Sequence, residues 1–183
     1  MSLPPELQSA LLGRRMVFLR GRLDDAASNS AIAQLLLMGR TGAGEAIDLC
    51  LDSPGGSVGA ALSLYDVVRT LASPVSTTCM GTAGGASVLI LAAGTSGRRF
   101  ALPHARIHIV EDATTLDGAG PGQLSSQAEE VARQHARWRA ALVRHVAHSG
   151  AQLTRDLAAG RWLSAAEARD YGIVDGILPG APR

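Results

Sequence analysis

Strand-like and helix-like segments alternate along almost the whole chain, and this alternation restricts the possible folds more than any other feature. Runs rich in Val, Ile and Leu are typical of buried strands, and apolar residues three and four positions apart are typical of helices packed on one side. The strand-like runs lie at 15–19, 45–52, 75–80, 98–101, 106–110 and 173–178. The helical patterns lie at 6–12, 24–38, 58–71, 86–93 and 123–148. This order predicts a layered α/β domain.

The length of the chain and its longest helical pattern suggest an assembly. A chain of 183 residues fits one domain with one core. The pattern over 123–148 would form a helix of about 26 residues, roughly 39 Å long. A helix of that length protrudes from so small a domain unless another copy of the chain packs against it.

Composition excludes several classes of protein. The net charge is +1 and only 3% of residues are aromatic, so neither a basic nucleic-acid surface nor a base-stacking platform is expected. The longest apolar run, 86–93, is far shorter than the ~20 residues that span a bilayer, and no secretory signal pattern is present. Cys50 and Cys79 lie in apolar runs and are predicted to be buried, reduced thiols of a cytoplasmic protein.

Two glycine-rich corners each lead from a strand into a helix, at 53–57 (SPGGS) and 81–87 (GTAGGAS). Unpaired N–H groups at such a corner can bind an oxyanion, or the glycines can simply permit a tight turn. The residues alone leave both interpretations open. A phosphate loop is excluded, because the chain has no lysine and no matching motif.

Several blocks in register resemble the proteolytic subunit of the Clp protease (ClpP) over about residues 6–178. They are 51–57 (LDSPGGS), 65–66 (YD), 75–83 (VSTTCMGTA), 91–94 (LAAG), 97–103 (GRRFALP), 105–106 (AR) and 163–175 (LSAAEARDYGIVD). The resemblance implies an α/β fold of the ClpP/crotonase type, a repeated β-β-α superhelix with a protruding handle helix. It also implies a seven-membered ring, usually two rings stacked face to face around a chamber.

The resemblance divides the chain into a short tail at 1–5, a core at 6–178 and a second tail at 179–183. The handle helix is expected at 123–149, and the glycine-rich stretch 113–122 before it is expected to be an excursion. All of these segments belong to a single domain, 1–183. The short first tail implies that the axial gate loop of the family is missing or rudimentary.

The three catalytic positions of the family are occupied here by residues that cannot do the chemistry. A serine peptidase needs a nucleophilic hydroxyl, an imidazole base and an orienting carboxylate. The resemblance places Gly85 at the nucleophile, Val110 at the base and Gly160 at the acid. Because the framework blocks still match, the sequence indicates a homologue without an intact triad.

A displaced triad is the alternative, formed by Ser87, His108 and Asp156. Ser87 is two helical steps from Gly85, which turns its side chain by about 200°. His108 shares a strand face with Val110 but is displaced by roughly 6.6 Å. All three residues would need compensating shifts.

Binding positions around the chemistry are retained. Gly55, Gly56 and the N–H of Ala86 match the oxyanion and substrate positions of the family, so a peptide carbonyl could be held without being cleaved. No cofactor is expected. A metal site is not expected either, because His145 and His148 share a helix face without a further ligand at a suitable spacing.

Departures at contact positions concern the partners. Asp48 and Cys50 stand where the family has tyrosines of the cleft that docks the ATP-driven unfoldase, so docking by this subunit is doubtful. Ala158 and Ala159 replace charged residues that help to join the two rings. The expected partners are further copies of the chain or ClpP-like subunits, with no nucleic acid and no membrane.

Three functions follow from this reading. The first is a non-catalytic subunit that assembles with itself or with ClpP-like subunits and modulates the complex. The second is a crotonase-like acyl-CoA enzyme that uses the oxyanion hole, with Glu111 and Asp112 as the nearby carboxylates. The third is an active Clp-type peptidase whose triad lies in another register.

Overall fold

The computed structural model describes residues 4–42, 44–113 and 121–179. The helices are α1 Pro5–Gly13, α2 Asp25–Thr41, α3 Val58–Thr70, α4 Ser87–Ala92, α5 Pro121–Val143, α6 Gly150–Ala159 and α7 Ala165–Asp170. The strands are β1 Met16–Arg20, β2 Ile47–Ser53, β3 Val75–Gly84, β4 Arg99–Ala101, β5 Arg106–Ile109, β6 Arg161–Ser164 and β7 Gly176–Ile177. The predicted alternation of strands and helices is confirmed.

One sheet joins the strands in the order β1-β2-β3-β4-β7, and all four of these pairings are parallel. The second half of β3 pairs with β5, and β5 continues the sheet into β6 by an antiparallel pairing. The result is a mixed α/β fold of the ClpP type in which the sheet branches at β3. The branch matters for function because it brings the ends of β3, β5 and β6 together.

The core lies between the sheet and helices α2, α3 and α4. Alternate residues of the first two strands are buried on this side, among them Val17 and Leu49. Every residue of α4 is buried, as its continuous apolar pattern predicts. Two of these helices have side-chain N-caps. Asp24 caps α2 by accepting the N–H of Ala27, and Ser57 caps α3 by accepting the N–H of Ala60.

The opposite face of the sheet carries a row of four residues that lie side by side across the strands. The row consists of Phe18, Cys50, Thr78 and Phe100. Phe18, Thr78 and Phe100 are only partly buried, and the alternation of burial along β1 confirms that this face is the more open one.

The structure corrects two predicted boundaries. The handle helix ends at Val143, not at 148 or 149, because the chain turns there and the Ala147 N–H bonds to the Tyr171 carbonyl. Ser149 then caps a separate helix, α6. Residues 81–84, predicted to be a loop, extend β3 because β5 offers them a partner strand. Residues 1–3, 114–120 and 180–183, which include most of the predicted tails and excursion, lie outside the described part of the chain.

Candidate functional site

The corner between β3 and α4 is the centre of the candidate site. Gly85 sits at this corner with φ +46°, in the left-handed region that favours glycine. Its N–H donates to the His108 carbonyl at 3.1 Å, which ties the corner to β5. The next residue, Ala86, is the N-cap of α4 and is buried.

Strand pairing brings the three positions assigned to the triad close together. Gly84 is the register partner of His108, and His108 is the register partner of Trp162. Continued by one residue past its last pair, Ile109 and Arg161, the β5–β6 register sets Val110 opposite Gly160, next to the corner at Gly85. The topology therefore places Gly85, Val110 and Gly160 near one another, and none of the three side chains carries a hydroxyl, an imidazole or a carboxylate.

A carboxylate occupies the space over this corner. Asp112 Oδ2 accepts the Ala86 N–H at 2.5 Å. A Cβ built on Gly85 would lie 2.5 Å from Asp112 Cγ and 2.6 Å from Oδ1, and real Cβ atoms do not approach other atoms so closely. The Asp112 side chain thus fills the volume that any side chain at position 85 would need.

The first glycine-rich corner forms the opposite wall of the same space. Gly55 has φ +110°, and a Cβ there would lie 2.7 Å from both carboxylate oxygens of Asp112. Gly56 has φ +150°, and a Cβ there would lie 2.9 Å from the carbonyl carbon of Leu23. A side chain at either position would clash with a neighbouring residue, so both positions need glycine. The Asp112 carboxylate lies between the two corners.

Contacts from α5 hold both sides of this arrangement. Trp138 is buried and its indole N–H donates to the Ala86 carbonyl at 3.3 Å. Glu111 forms an ion pair with Arg139, and its second oxygen lies 3.9 Å from His135 Nδ1. The residue before Asp112 is thereby attached to the helix that also holds Ala86.

The three residues of the alternative triad are engaged in separate contacts. The fully buried Ser87 hydroxyl bonds to backbone: it lies 2.7 Å from the Gly84 carbonyl and 3.1 Å from that of Ser53. The His108 ring stacks on Trp162 with centroids 4.1 Å apart. Asp156 accepts the Tyr171 hydroxyl at 2.8 Å. Among the described residues, no hydrogen bond joins any two of the three.

Burial and hydrogen bonds act in opposite directions on Asp156. Burial opposes ionisation of its carboxyl, but hydrogen bonds from Gln152 and Tyr171, together with the charge of Arg161, outweigh it and lower the pKa. Arg161 Nη1 lies 3.4 Å from Oδ1, so the carboxylate is part of an ion pair. Through these contacts Asp156 joins α6 to β6 and to the end of α7, so its role in the described structure is to stabilise the fold.

His145 and His148, the two histidines that share a helical spacing, contact different neighbours. Burial, reinforced by the charges of nearby arginines, lowers the pKa of His145 to about 4. Its Nε2 lies 3.1 Å from the Tyr65 hydroxyl. His148 packs instead against Tyr171, with ring centroids 4.3 Å apart. In the described ranges there is no group of three or more His, Cys, Asp or Glu placed to hold a metal ion.

The positions linked to unfoldase docking lie on the open face of the sheet. Asp48 is exposed on β2, and Cys50 is flanked by Phe18 and Thr78. Burial, with a smaller effect of Asp48, raises the pKa of the Cys50 thiol to about 11. Burial likewise raises the pKa of Cys79 to about 12, and both cysteines are free thiols.

Sequence reasoning missed the position of Asp112 and the role of Trp138. The sequence marks Asp112 only as a carboxylate near Val110, and no periodicity shows that it reaches the Ala86 N–H. A signal for Trp138 was available, because a tryptophan in an otherwise polar helix marks the side that packs on the core.

Comparisons with known proteins agree with this geometry. The family model described as Clp protease matches residues 5–180. A Clp protease proteolytic subunit-like protein of Streptomyces coelicolor is 41% identical over 173 residues, covering 94% of this chain and 82% of its own. The chain belongs to the Clp protease family. ATP-dependent Clp protease proteolytic subunit 2 of Corynebacterium diphtheriae is 34% identical over 181 residues, covering 99% of this chain and 90% of its own.

A third relative within the Clp protease family is ATP-dependent Clp protease proteolytic subunit 1 of Rhodococcus jostii. It is 36% identical over 171 residues, covering 92% of this chain and 76% of its own. In the described part of the chain, no helix is long and apolar enough to cross a membrane. This chain is therefore a homologue of Clp proteolytic subunits over nearly its full length.

Proposed function

We infer that this chain is a catalytically inactive subunit of a Clp-type proteolytic complex. The inference rests on the residues of the site: Gly85, Val110 and Gly160 directly adjoin paired strands, where β3 and β5 end and β6 begins. None of them carries an atom that can attack a carbonyl, accept a proton or orient an imidazole. The framework that positions them is intact, so the loss is confined to the chemistry.

Other carboxylates and hydroxyls near the corner do not replace the lost groups. Glu111 is ion-paired with Arg139, and Asp112 is hydrogen-bonded to the Ala86 N–H. The Ser87 hydroxyl is fully buried against backbone carbonyls. These contacts favour the inactive subunit over a displaced triad and over crotonase-like acyl-CoA chemistry.

We propose that the subunit takes part in heptameric rings, either with copies of itself or with ClpP-like subunits. Apolar side chains on two helices are available for contacts with other chains: Leu124 on α5 is 40% exposed, and Leu37 on α2 is 59% exposed. Two of the relatives are named subunit 1 and subunit 2, which suits rings built from more than one kind of chain. The subunit would then modulate the complex by occupying ring positions without adding a cleavage site.

Contacts beyond the ring are proposed to be weaker than in catalytic subunits. Ala158 and Ala159 are exposed at the end of α6 and offer no charge for joining two rings. Asp48 places a charge on the open sheet face, where an apolar docking loop of an unfoldase would bind, so we expect this docking to be weak. Two buried free thiols suit a reducing compartment, and we propose a cytoplasmic location.

Native mass spectrometry tests the assembly. The chain would be measured alone and after mixing with a catalytic ClpP subunit from the same source. Rings of seven or fourteen chains that contain both proteins support the proposal, and the peptidase activity per ring should fall in proportion to the share of this subunit. A monodisperse monomer under both conditions would contradict it, and so would peptidase activity of the chain by itself.

A further inference from the structure

We propose that Asp112 closes the peptide-carbonyl site of this subunit, by binding the Ala86 N–H and filling the volume over Gly85. The proposal rests on the proposed function, because a working nucleophile would need this volume to be empty. It goes further in one respect: an inactive subunit with an open oxyanion hole could still hold a peptide, whereas a closed one does not.

The position of the carboxylate supports direct competition with a substrate. A peptide carbonyl oxygen in an oxyanion hole must lie about 2.7–3.1 Å from its N–H donors. Asp112 Oδ2 already lies 2.5 Å from the Ala86 nitrogen. A second oxygen cannot reach that donor without displacing the first. Since a charged acceptor makes a stronger hydrogen bond than a neutral carbonyl, the carboxylate has the advantage.

Steric filling closes the site from both sides. The carboxylate lies close above Gly85, and Gly55 faces both of its oxygens from the other corner. Any side chain at position 85 would overlap Asp112. The glycine at the nucleophile position leaves room for the Asp112 carboxylate, and the carboxylate in turn leaves no room for a side chain at that position.

Attachment to α5 makes the closure part of the fold. Glu111 is paired with Arg139, and Trp138, the preceding helix residue, donates to the Ala86 carbonyl. One helix thus holds both the residue before the carboxylate and the residue whose N–H the carboxylate binds. The carboxylate has no ion-pair partner among the described residues, so the Ala86 N–H is its principal contact there.

Amide hydrogen exchange tests the contact in the full chain. We expect the Ala86 amide to exchange at least tenfold faster in Asp112→Ala than in the unmodified protein, and Asp112→Asn to fall between them. Asp170→Ala removes an exposed carboxylate on α7 and is the matched control, with no change at Ala86. Unchanged Ala86 exchange in Asp112→Ala would overturn the proposal.

Restoring the triad tests the steric closure. We expect the variant Gly85→Ser, Val110→His, Gly160→Asp to remain unlabelled by a fluorophosphonate probe, and the same variant with Asp112→Ala to be labelled at position 85. In that step the hydroxyl oxygen bonds to phosphorus, fluoride leaves and the imidazole takes the proton. Labelling within twofold of each other would overturn the proposal. Labelling of the unmodified chain would instead refute the proposed function, so the two failures are distinguishable.

A stability cycle serves if the multiple variants do not fold. Gly85→Ala should lower the folding equilibrium constant at least tenfold more when Asp112 is present than when it is replaced by Ala. The φ strain of Gly85→Ala is common to both backgrounds and cancels in this comparison. Equal effects in both backgrounds, within twofold, would show that Asp112 does not fill the site.

Discussion

Replacing Ser87 by Ala separates a structural role for this hydroxyl from a catalytic one. The hydroxyl is fully buried, accepts the Gly84 N–H at 3.0 Å and can donate to the Gly84 or Ser53 carbonyl. Ser87→Ala removes these bonds and leaves the buried Gly84 N–H without its acceptor. Leaving such a group unsatisfied costs about 1–3 kcal/mol.

The assay is thermal and urea unfolding at one protein concentration, because assembly makes apparent stability depend on concentration. For a chain of this size each kcal/mol shifts Tm by about 2–4 °C, so Ser87→Ala should lower Tm by roughly 2–12 °C. Ser63→Ala is the matched control, since its exposed hydroxyl bonds, within the described part of the chain, only to the Gly59 carbonyl of its own helix. A change of about 0.5 kcal/mol or less is expected there.

A nucleophilic Ser87 would give the opposite pattern. Its replacement would abolish peptide hydrolysis while leaving stability almost unchanged. An unaltered Tm in Ser87→Ala, with loss of a measurable activity of the parent chain, would therefore refute the structural interpretation of this hydroxyl.

Three further outcomes are expected. Asp175→Ala should destabilise the fold by about 2–4 kcal/mol in urea unfolding, because it leaves the charge of Arg99 without its carboxylate partner. The Arg99 guanidinium bonds Asp175 at 2.5 Å and is only 13% exposed. A loss of stability below about 1 kcal/mol would contradict this prediction. Burial opposes ionisation of Asp175, but hydrogen bonds from Arg99 outweigh it and lower the pKa. The stabilisation is thus complete above about pH 4 and is lost as pH falls through the folded-state pKa, and Asp175→Asn should flatten this part of the pH–stability curve. Cys50 and Cys79, with pKa values raised to about 11 and 12, should resist an aromatic disulfide reagent at pH 8 until the chain is unfolded; rapid modification of the folded protein would refute their burial.

The sequence was sufficient for the order of the elements and for several of their ends. Periodicity separates strands from helices, and local capping chemistry marks helix starts: Ser164 and Glu167, three positions apart, form a capping box at the start of α7. Such features depend on residues within one turn of each other. The matched blocks added the family, which the comparisons confirm.

Features that depend on distant segments were predicted less well. Residues 81–84 look like a loop locally, and only the presence of β5 makes them part of β3. The end of α5 at Val143 depends on a bond between Ala147 and Tyr171, which are far apart in the chain. Asp112 reaches Ala86 across 26 positions. No periodic pattern encodes such a contact, and it emerges only once the sheet has branched.

Intact-mass analysis after fluorophosphonate treatment shows whether this subunit carries a reactive nucleophile. Rings containing both this chain and a catalytic ClpP subunit from the same source would be treated and then separated into their chains. We predict one probe adduct on each catalytic subunit and none on this chain. An adduct on this chain under the same conditions, lost in Ser87→Ala or in any other single serine variant, would contradict the account.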